Sequence, residues 1–271
     1  MQKKFHDLFP IPKPIIGMVH LRALQGTPAY GGSVKEIIAG AMREARLLKR
    51  AGIDALLLEN MHDVPYLKRE VGPEISSLMA VVGYEIKKGT SLPCGIQILA
   101  GANKAALAVS RAAGLDFIRA EGFVYAHVAD EGWMDGCAGE LLRYRKMIDA
   151  ENVLVFTDIK KKHSAHAVTA DLGIVETAKT AAYFRSDGII LTGAATGEEA
   201  DLDEIVRVKK NCELPLLIGS GVALENVAHY LELGDALIVG SYFKKKGLWS
   251  NEMDESVVKT FMEKVRTLRR D

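Results

Sequence analysis

The chain has 271 residues, 48% of them hydrophobic and 26% charged, an ordinary balance for a soluble globular protein with a sizeable core. Its formal net charge is zero, which argues against a dedicated nucleic-acid surface or an anionic-membrane surface. Three widely spaced cysteines, Cys94, Cys137 and Cys212, give neither a disulfide framework nor a paired thiolate metal motif, so a reducing compartment fits best.

Apolar runs short enough to be strands alternate with helical patterns along the whole chain. Residues 15–19 read as the first strand, and a helix over 33–51 follows, with Ser33 as its N-cap and Glu36 at capping-box spacing. The pattern continues with a strand at 55–58, a helix at 74–88, a strand at 95–99 and a helix at 103–113. A fourth strand centres on Phe117 and Ile118. It is followed by a long glycine-containing segment, 122–139, and a helix over 140–149. Strands at 153–156 and 188–191 precede helices at 172–184 and 202–210 respectively in the alternation β–α–β–α. Strands at 216–218 and 237–239 are the last two, and a helix at 254–270 closes the chain.

A weak internal repeat divides these units into pairs. The even-numbered strands are each entered through a Gly or Ser beside an Asp: Gly52 and Asp54, Gly114 and Asp116, Ser186 and Asp187, Gly234 and Asp235. Three odd-numbered strands follow a proline, at Pro14, Pro93 and Pro215. Such alternation is what a chain of doubled βα units shows, although Gly, Asp and Pro also simply punctuate helix-to-strand turns. Eight alternating units imply a parallel α/β sheet. The length matches the roughly 250 residues of one barrel domain, so a single (β/α)8 TIM barrel over 1–271 is the expected fold. An open doubly wound sheet is the alternative. Residues 1–10 lack the apolar stretch of a secretory leader and no apolar run spans a bilayer, so a cytoplasmic protein without membrane insertion is expected.

Two Gly-Ser turns follow the last two strands. Gly219, Ser220 and Gly221 come directly after the seventh, with a helical pattern opening at Ala223; Gly240 and Ser241 come directly after the eighth. A strand running through such a turn into a helix presents backbone N–H groups and a positive helix end to one spot, which suits phosphate. Barrels often build their phosphate site from these two loops. The bland alternative is that glycine only relieves backbone strain there.

Polar residues collect at the other strand ends, where a barrel keeps its chemistry. They are His20; Glu59 and Asn60; Gln97; Arg119 and Glu121; Asp158 and Lys160; and Thr192. Side chains alternate along a strand, so Asp158 and Lys160 are expected to point the same way and hold each other's charge. That makes them the leading acid–base pair, with Glu121, Glu59 and His20 as further catalytic candidates. The alternative is a structural ion pair closing the barrel mouth. Lys162 belongs to a basic run, 160–162, that would attract an anionic substrate, or form a solvated loop, and His163 follows it directly. No cofactor is predicted. A divalent metal stays open, since His20, Glu59, Asp158, His163 and His166 supply ligand types without a diagnostic spacing. The segment 122–139, with Phe123, Tyr125, His127 and Trp133, is expected to be a lid or an oligomer contact.

The run PIIGMVHLRALQGTP over 14–28 resembles the opening signature of the BtpA/SgcQ family, as do LEN at 58–60, DIKKKHS at 158–164, LTG at 191–193 and IGSGV at 218–222. The resemblance covers nearly the whole chain, departing at Gln25, where many members have proline. It implies a TIM barrel of the ribulose-phosphate-binding type without a settled reaction: some members are linked to photosystem I biogenesis, others sit in sugar-metabolism gene clusters, and others occur in animals.

The expected function is an enzyme acting on a small phosphorylated sugar-like metabolite, as an isomerase, epimerase or aldolase-type lyase. Phosphate would bind at Gly219, Ser220, Gly221, Gly240 and Ser241, and the rest of the substrate at Asn60, Gln97, Arg119, Lys162, His163 and Thr192. A metal-dependent hydrolase using His20, Glu59 and Asp158, or a non-catalytic assembly factor, are the alternatives. A homo-oligomer is expected on the general habit of such barrels.

Overall fold

Successive units of the chain each contribute one strand to a closed barrel and one helix to its outer layer. The computed structural model describes residues 4–193 and 195–270. The strands are β1 (Ile15–His20), β2 (Ala55–Glu59), β3 (Cys94–Gln97), β4 (Phe117–Ala120), β5 (Leu154–Asp158), β6 (Gly188–Leu191), β7 (Leu216–Gly219) and β8 (Ala236–Val239). Each pairs in parallel with its chain neighbours, and β8 closes onto β1 with Ile15 beside Leu237. The helices are α1 (Val34–Ala51), α2 (Pro73–Thr90), α3 (Asn103–Ala113), α4 (Ala138–Met147), α5 (Ile174–Tyr183), α6 (Leu202–Asn211), α7 (Val227–Leu233) and α8 (Glu255–Leu268). The expected TIM barrel is therefore the observed fold. Its strands are apolar on both faces because one faces the barrel interior and the other faces the helices.

The repeat of Gly or Ser with Asp has a physical basis. Asp54, Asp116, Asp187 and Asp235 each accept a hydrogen bond from the first or second backbone N–H of the preceding odd strand, at Ile15, Cys94, Val155 and Leu216 (2.7–2.9 Å). Each returns its own N–H to the carbonyl of that same residue. Each carboxylate also meets a cation: Lys87, Arg145 and Lys209 from the helix preceding that odd strand for Asp116, Asp187 and Asp235, and Arg269, at the end of the last helix, for Asp54. The same clamp thus occurs four times around the end of the barrel where the strands begin, one for each pair of βα units.

That end is closed by a short helix, Phe5–Leu8, which the sequence pattern did not reveal. Phe5 and Phe9 pack inside the barrel against Phe156 and Phe117, with ring centroids 5.9 and 6.0 Å apart. A Cβ on Gly95 would fall 2.1 Å from the Phe117 ring, so this glycine makes room for the plug's partner. The segment 122–139 is not a free loop. Strands His127–Ala129 and Gly132–Met134 form a hairpin, and Ser164–Ala165 pairs with its first strand to complete a three-stranded antiparallel sheet beside the mouth. Phe123 and His127 are buried, and Tyr125 Oη lies 2.8 Å from Thr180 Oγ1.

Candidate active site

A cleft of about 520 Å³ opens at the end of the barrel where the strands finish. Its floor is made by His20, Glu59, Gln97, Arg119 and Glu121 from β1 to β4 and the residues just after them. Its opposite wall is made by Ser220 and Gly221 after β7 and by Gly240 and Ser241 after β8, with Lys162 between the two. In the closed strand order β7 and β8 lie diametrically across from β3 and β4.

The expected Asp158–Lys160 pair does not form. β5 ends at Asp158, and the chain then turns, with Lys160 at φ +45°, so the alternation rule stops applying one residue too soon. Asp158 is instead bound by Arg119 in a two-pronged ion pair, Nε to Oδ2 and Nη2 to Oδ1 both 2.7 Å. Both side chains are almost wholly buried. Burial works against the Arg119 charge, and Asp158 more than offsets it, so the guanidinium is held protonated above its ordinary range. Asp158 and Lys160 line a separate small cavity rather than the cleft. The lysines that serve the cleft are the next two. Lys161 Nζ lies 3.3 Å from Glu121 Oε1, and Lys162 donates to Ser220 Oγ at 3.1 Å. Lys162 is legible from the basic run, whereas the role of Lys161 is not, because nothing in three consecutive lysines says which will face inward.

Two carboxylates are anchored by these ion pairs, and Glu59 is the one left without a cation bound directly to it. Burial pushes its carboxyl above the usual range, only partly opposed by Arg119 and Lys162. Its neighbour His20 is pushed down to about 3, first by burial and then by Lys244. Nε2 of His20 lies 3.6 Å from Glu59 Oε2. An ion pair would have moved the two groups the other way, so this contact joins a neutral imidazole to a carboxyl that favours its protonated form. Trp249 carbonyl oxygen, 3.3 Å from Nδ1, can only accept, which puts the imidazole proton on Nδ1. Lys162 is pushed down as well, by burial and then by Arg119. Burial thus displaces Glu59 upward and Lys162 downward, each toward its neutral form, within one cleft.

The two Gly-Ser turns stand where expected; a single 3-10 turn, Ser241–Phe243, follows Gly240, but no helix starts directly behind Gly221. Asn226 Oδ1 accepts from Ala223 N–H and its Nδ2 donates to Gly221 carbonyl oxygen, so the chain makes a side-chain-braced turn and α7 begins only at Val227. Ser220 and Gly221 both have positive φ, +63° and +61°, and a Cβ on Gly221 would come within 2.5 Å of the 198–199 backbone. Gly221 is thus demanded by close approach as well as by its conformation. Gly240 lies close to β1: a Cβ there would be 3.1 Å from Met18 Cγ, a tight approach, and in ordinary contact with the His20 ring at 3.4 Å. Gly219 is the last residue of β7 and sits behind the wall, near Ile238 and Thr192.

Two other expected substrate contacts are placed elsewhere. Asn60 is buried and braces the turn after β2, donating to Asp63 Oδ2 and accepting from Leu99 N–H, both at 2.8 Å. Thr192 packs beside Gly219 away from the cleft. His163, by contrast, lines the cleft at its exposed rim, its Nε2 2.9 Å from Thr196 Oγ1. His20, Glu59 and Asp158 do not gather into a donor set, since Asp158 is committed to Arg119. Among the described residues no group of three His, Cys, Asp or Glu side chains is disposed to hold a metal ion. No described helix is long and apolar enough to cross a membrane.

Among solved structures, phosphoribosyl anthranilate isomerase from Thermus thermophilus superimposes with a TM-score of 0.58 at 13% identity, covering 94% of this chain and 99% of that one. N-acetylmannosamine-6-phosphate 2-epimerase from Clostridium perfringens gives 0.57 at 14%, covering 97% and 98%. At such identities the likeness is one of fold. A mitochondrial protein of Caenorhabditis elegans, itself uncharacterised, is 49% identical over 261 residues, 94% of each chain. The photosystem I biogenesis protein BtpA of Synechocystis is 32% identical over 256 residues, 94% of this chain and 88% of its own. The BtpA family pattern matches residues 11–267, and the chain belongs to the BtpA family.

Proposed function

We propose that this barrel is an enzyme that moves a proton next to a carbonyl in a small phosphorylated sugar, as an isomerase, epimerase or aldolase-type lyase. One observation carries the reading. The bond from Lys162 to Ser220 brings the Gly-Ser-Gly turn and the carboxylate floor into one cleft, so that an anion at the turn lies beside the acid–base groups. The solved structures of similar fold include enzymes whose names specify phosphorylated substrates, which agrees with this use of the architecture.

Glu121 is suited to be the base: Lys161 fixes Oε1, while Oε2 is buried with no partner among the described residues. It takes the proton from the carbon beside the carbonyl. The C–H electron pair moves into the new C=C bond and the carbonyl electrons onto oxygen. Arg119, oriented by Asp158, and Lys162 hold the resulting negative charge. Glu59, whose burial favours the protonated form, returns a proton and completes the isomerisation.

An assembly role, suggested by the name of the Synechocystis relative, asks nothing of the cleft. It offers no reason to bury three carboxylates with an arginine and a lysine, an arrangement that costs stability unless used. The test is solvent-deuterium incorporation into pentose and hexose phosphates, followed by NMR. Exchange at a carbon next to the carbonyl, lost in Glu121→Gln, supports the enzyme; no exchange with any of them contradicts it.

A further inference from the structure

The floor and the far wall of the cleft are chemical opposites. On the wall, Lys162, Ser220 and Ser241 offer hydrogen-bond donors. On the floor, two buried acceptor oxygens have no partner among the described residues: Gln97 Oε1 and Glu121 Oε2. Gln97 is 2% exposed and Glu121 7%, and both residues line the cleft. Buried acceptors left unsatisfied are costly, and a protein keeps them where a ligand supplies the donors.

We infer that the β2–β4 floor reads a pair of neighbouring hydroxyl groups at the end of the substrate remote from its phosphate, so the substrate is a pentose or hexose phosphate with an intact diol. The inference rests on the phosphate assignment proposed above and adds to it the far end of the molecule. Two considerations support it. The acceptors sit on strands diametrically opposite the turns after β7 and β8, so a single ligand must cross the mouth to satisfy both. Hydroxyl groups are the donors a carbohydrate carries there, and the two anchored cations, Arg119 and Lys161, make a second anionic or cationic group unnecessary for charge balance.

Calorimetric titration of four probes decides the matter: inorganic phosphate, glycerol 3-phosphate, ribose 5-phosphate and 2-deoxyribose 5-phosphate, against the wild-type chain and Gln97→Met. Phosphate alone tests the wall. The floor is tested by the sugars: ribose 5-phosphate binds at least about tenfold more tightly than glycerol 3-phosphate or the deoxy sugar, because unpaired buried acceptors discriminate strongly against a missing hydroxyl. In Gln97→Met that preference falls to within about threefold while phosphate affinity is unchanged. Equal affinities for the ribo and deoxy sugars, or a preference that survives in Gln97→Met, overturn the inference and leave the phosphate wall standing. If no phosphorylated probe binds, the wall fails and melting temperature judges the floor. Removing an orphaned acceptor makes Gln97→Met melt above wild type, whereas a lower melting temperature means that the oxygen has a partner in the protein and the inference is wrong.

Discussion

Lys162 and Ser220 are joined by a 3.1 Å hydrogen bond from Nζ to Oγ, and this contact couples the two ends of the cleft. The lysine comes from the loop after β5 and the serine from the turn after β7, with β6 between them in the barrel order. A single amine therefore touches the anion turn while feeling the field of Arg119, Glu59, Asp158 and Glu121.

Lys162→Met should therefore lower the rate of solvent exchange into a sugar phosphate by about a hundredfold, the usual effect of losing one charge-stabilising donor. Lys160→Met, in a side chain that lines only the small neighbouring cavity, should stay within about twofold of wild type. Equal losses in the two variants would mean that the lysine roles are misassigned.

Arg119 grips Asp158 with two parallel bonds that an ammonium does not reproduce. Arg119→Lys is expected to fall at least tenfold in the same assay with substrate affinity less affected, since about 1–3 kcal/mol of oriented interaction is removed. Asp158→Ala leaves the guanidinium buried and unpaired, and should cost about 3–5 kcal/mol of folding stability by denaturant titration.

The fourfold clamp predicts a stability effect far from the cleft. In Asp116→Ala the Cys94 N–H loses its acceptor and Lys87 its counter-charge, for a loss of about 2–3 kcal/mol. Chemical denaturation measures it, and solvent exchange into a sugar phosphate should be unchanged below the melting transition. A loss under half a kilocalorie (about 0.5) would show that the clamp is replaceable by water.

His20 and Glu59 link stability to pH with opposite signs. His20 titrates at about 3 when folded against 6.5 ordinarily, so the unfolded chain takes up its proton first. Its contribution is present above 6.5 and is lost as pH falls toward 3. The raised Glu59 contributes stability below its ordinary value of 4.5 and loses it as pH rises through the folded value. Melting curves across pH should show His20→Gln falling less than wild type on acidification, and Glu59→Gln gaining on wild type as pH rises. A pH-independent difference for either variant would remove that group from the account.

Much of this could be read before the fold was known, and the failures have identifiable causes. Strands such as Ile15–His20 and Ala55–Glu59 are continuous apolar runs ending in a charged or polar residue, so both the strand and its functional end were legible. The Asp54, Asp116, Asp187 and Asp235 repeat was visible as spacing, while its partners Arg269, Lys87, Arg145 and Lys209 were not, because they come from other helices. The plug helix was too short to show periodicity, although Phe5 and Phe9 at i, i+4 were a trace of it. Asp158 was assigned to Lys160 by an alternation rule that holds only inside a strand, and its true partner, Arg119, lies 39 positions away. Likewise Asn60 looked like a cleft residue by position, yet its amide is used on Asp63 and Leu99, contacts that only the folded loop creates.

The most direct test of the central claim is calorimetric binding of inorganic phosphate to the wild-type chain and to Ser220→Asp. Aspartate tolerates the positive φ of that position, whereas any side chain at Gly221 would collide with the 198–199 backbone and confuse the result. The account predicts saturable phosphate binding by wild type that is abolished in Ser220→Asp while the melting temperature is retained. No binding by wild type, or equal binding by the variant, would contradict it.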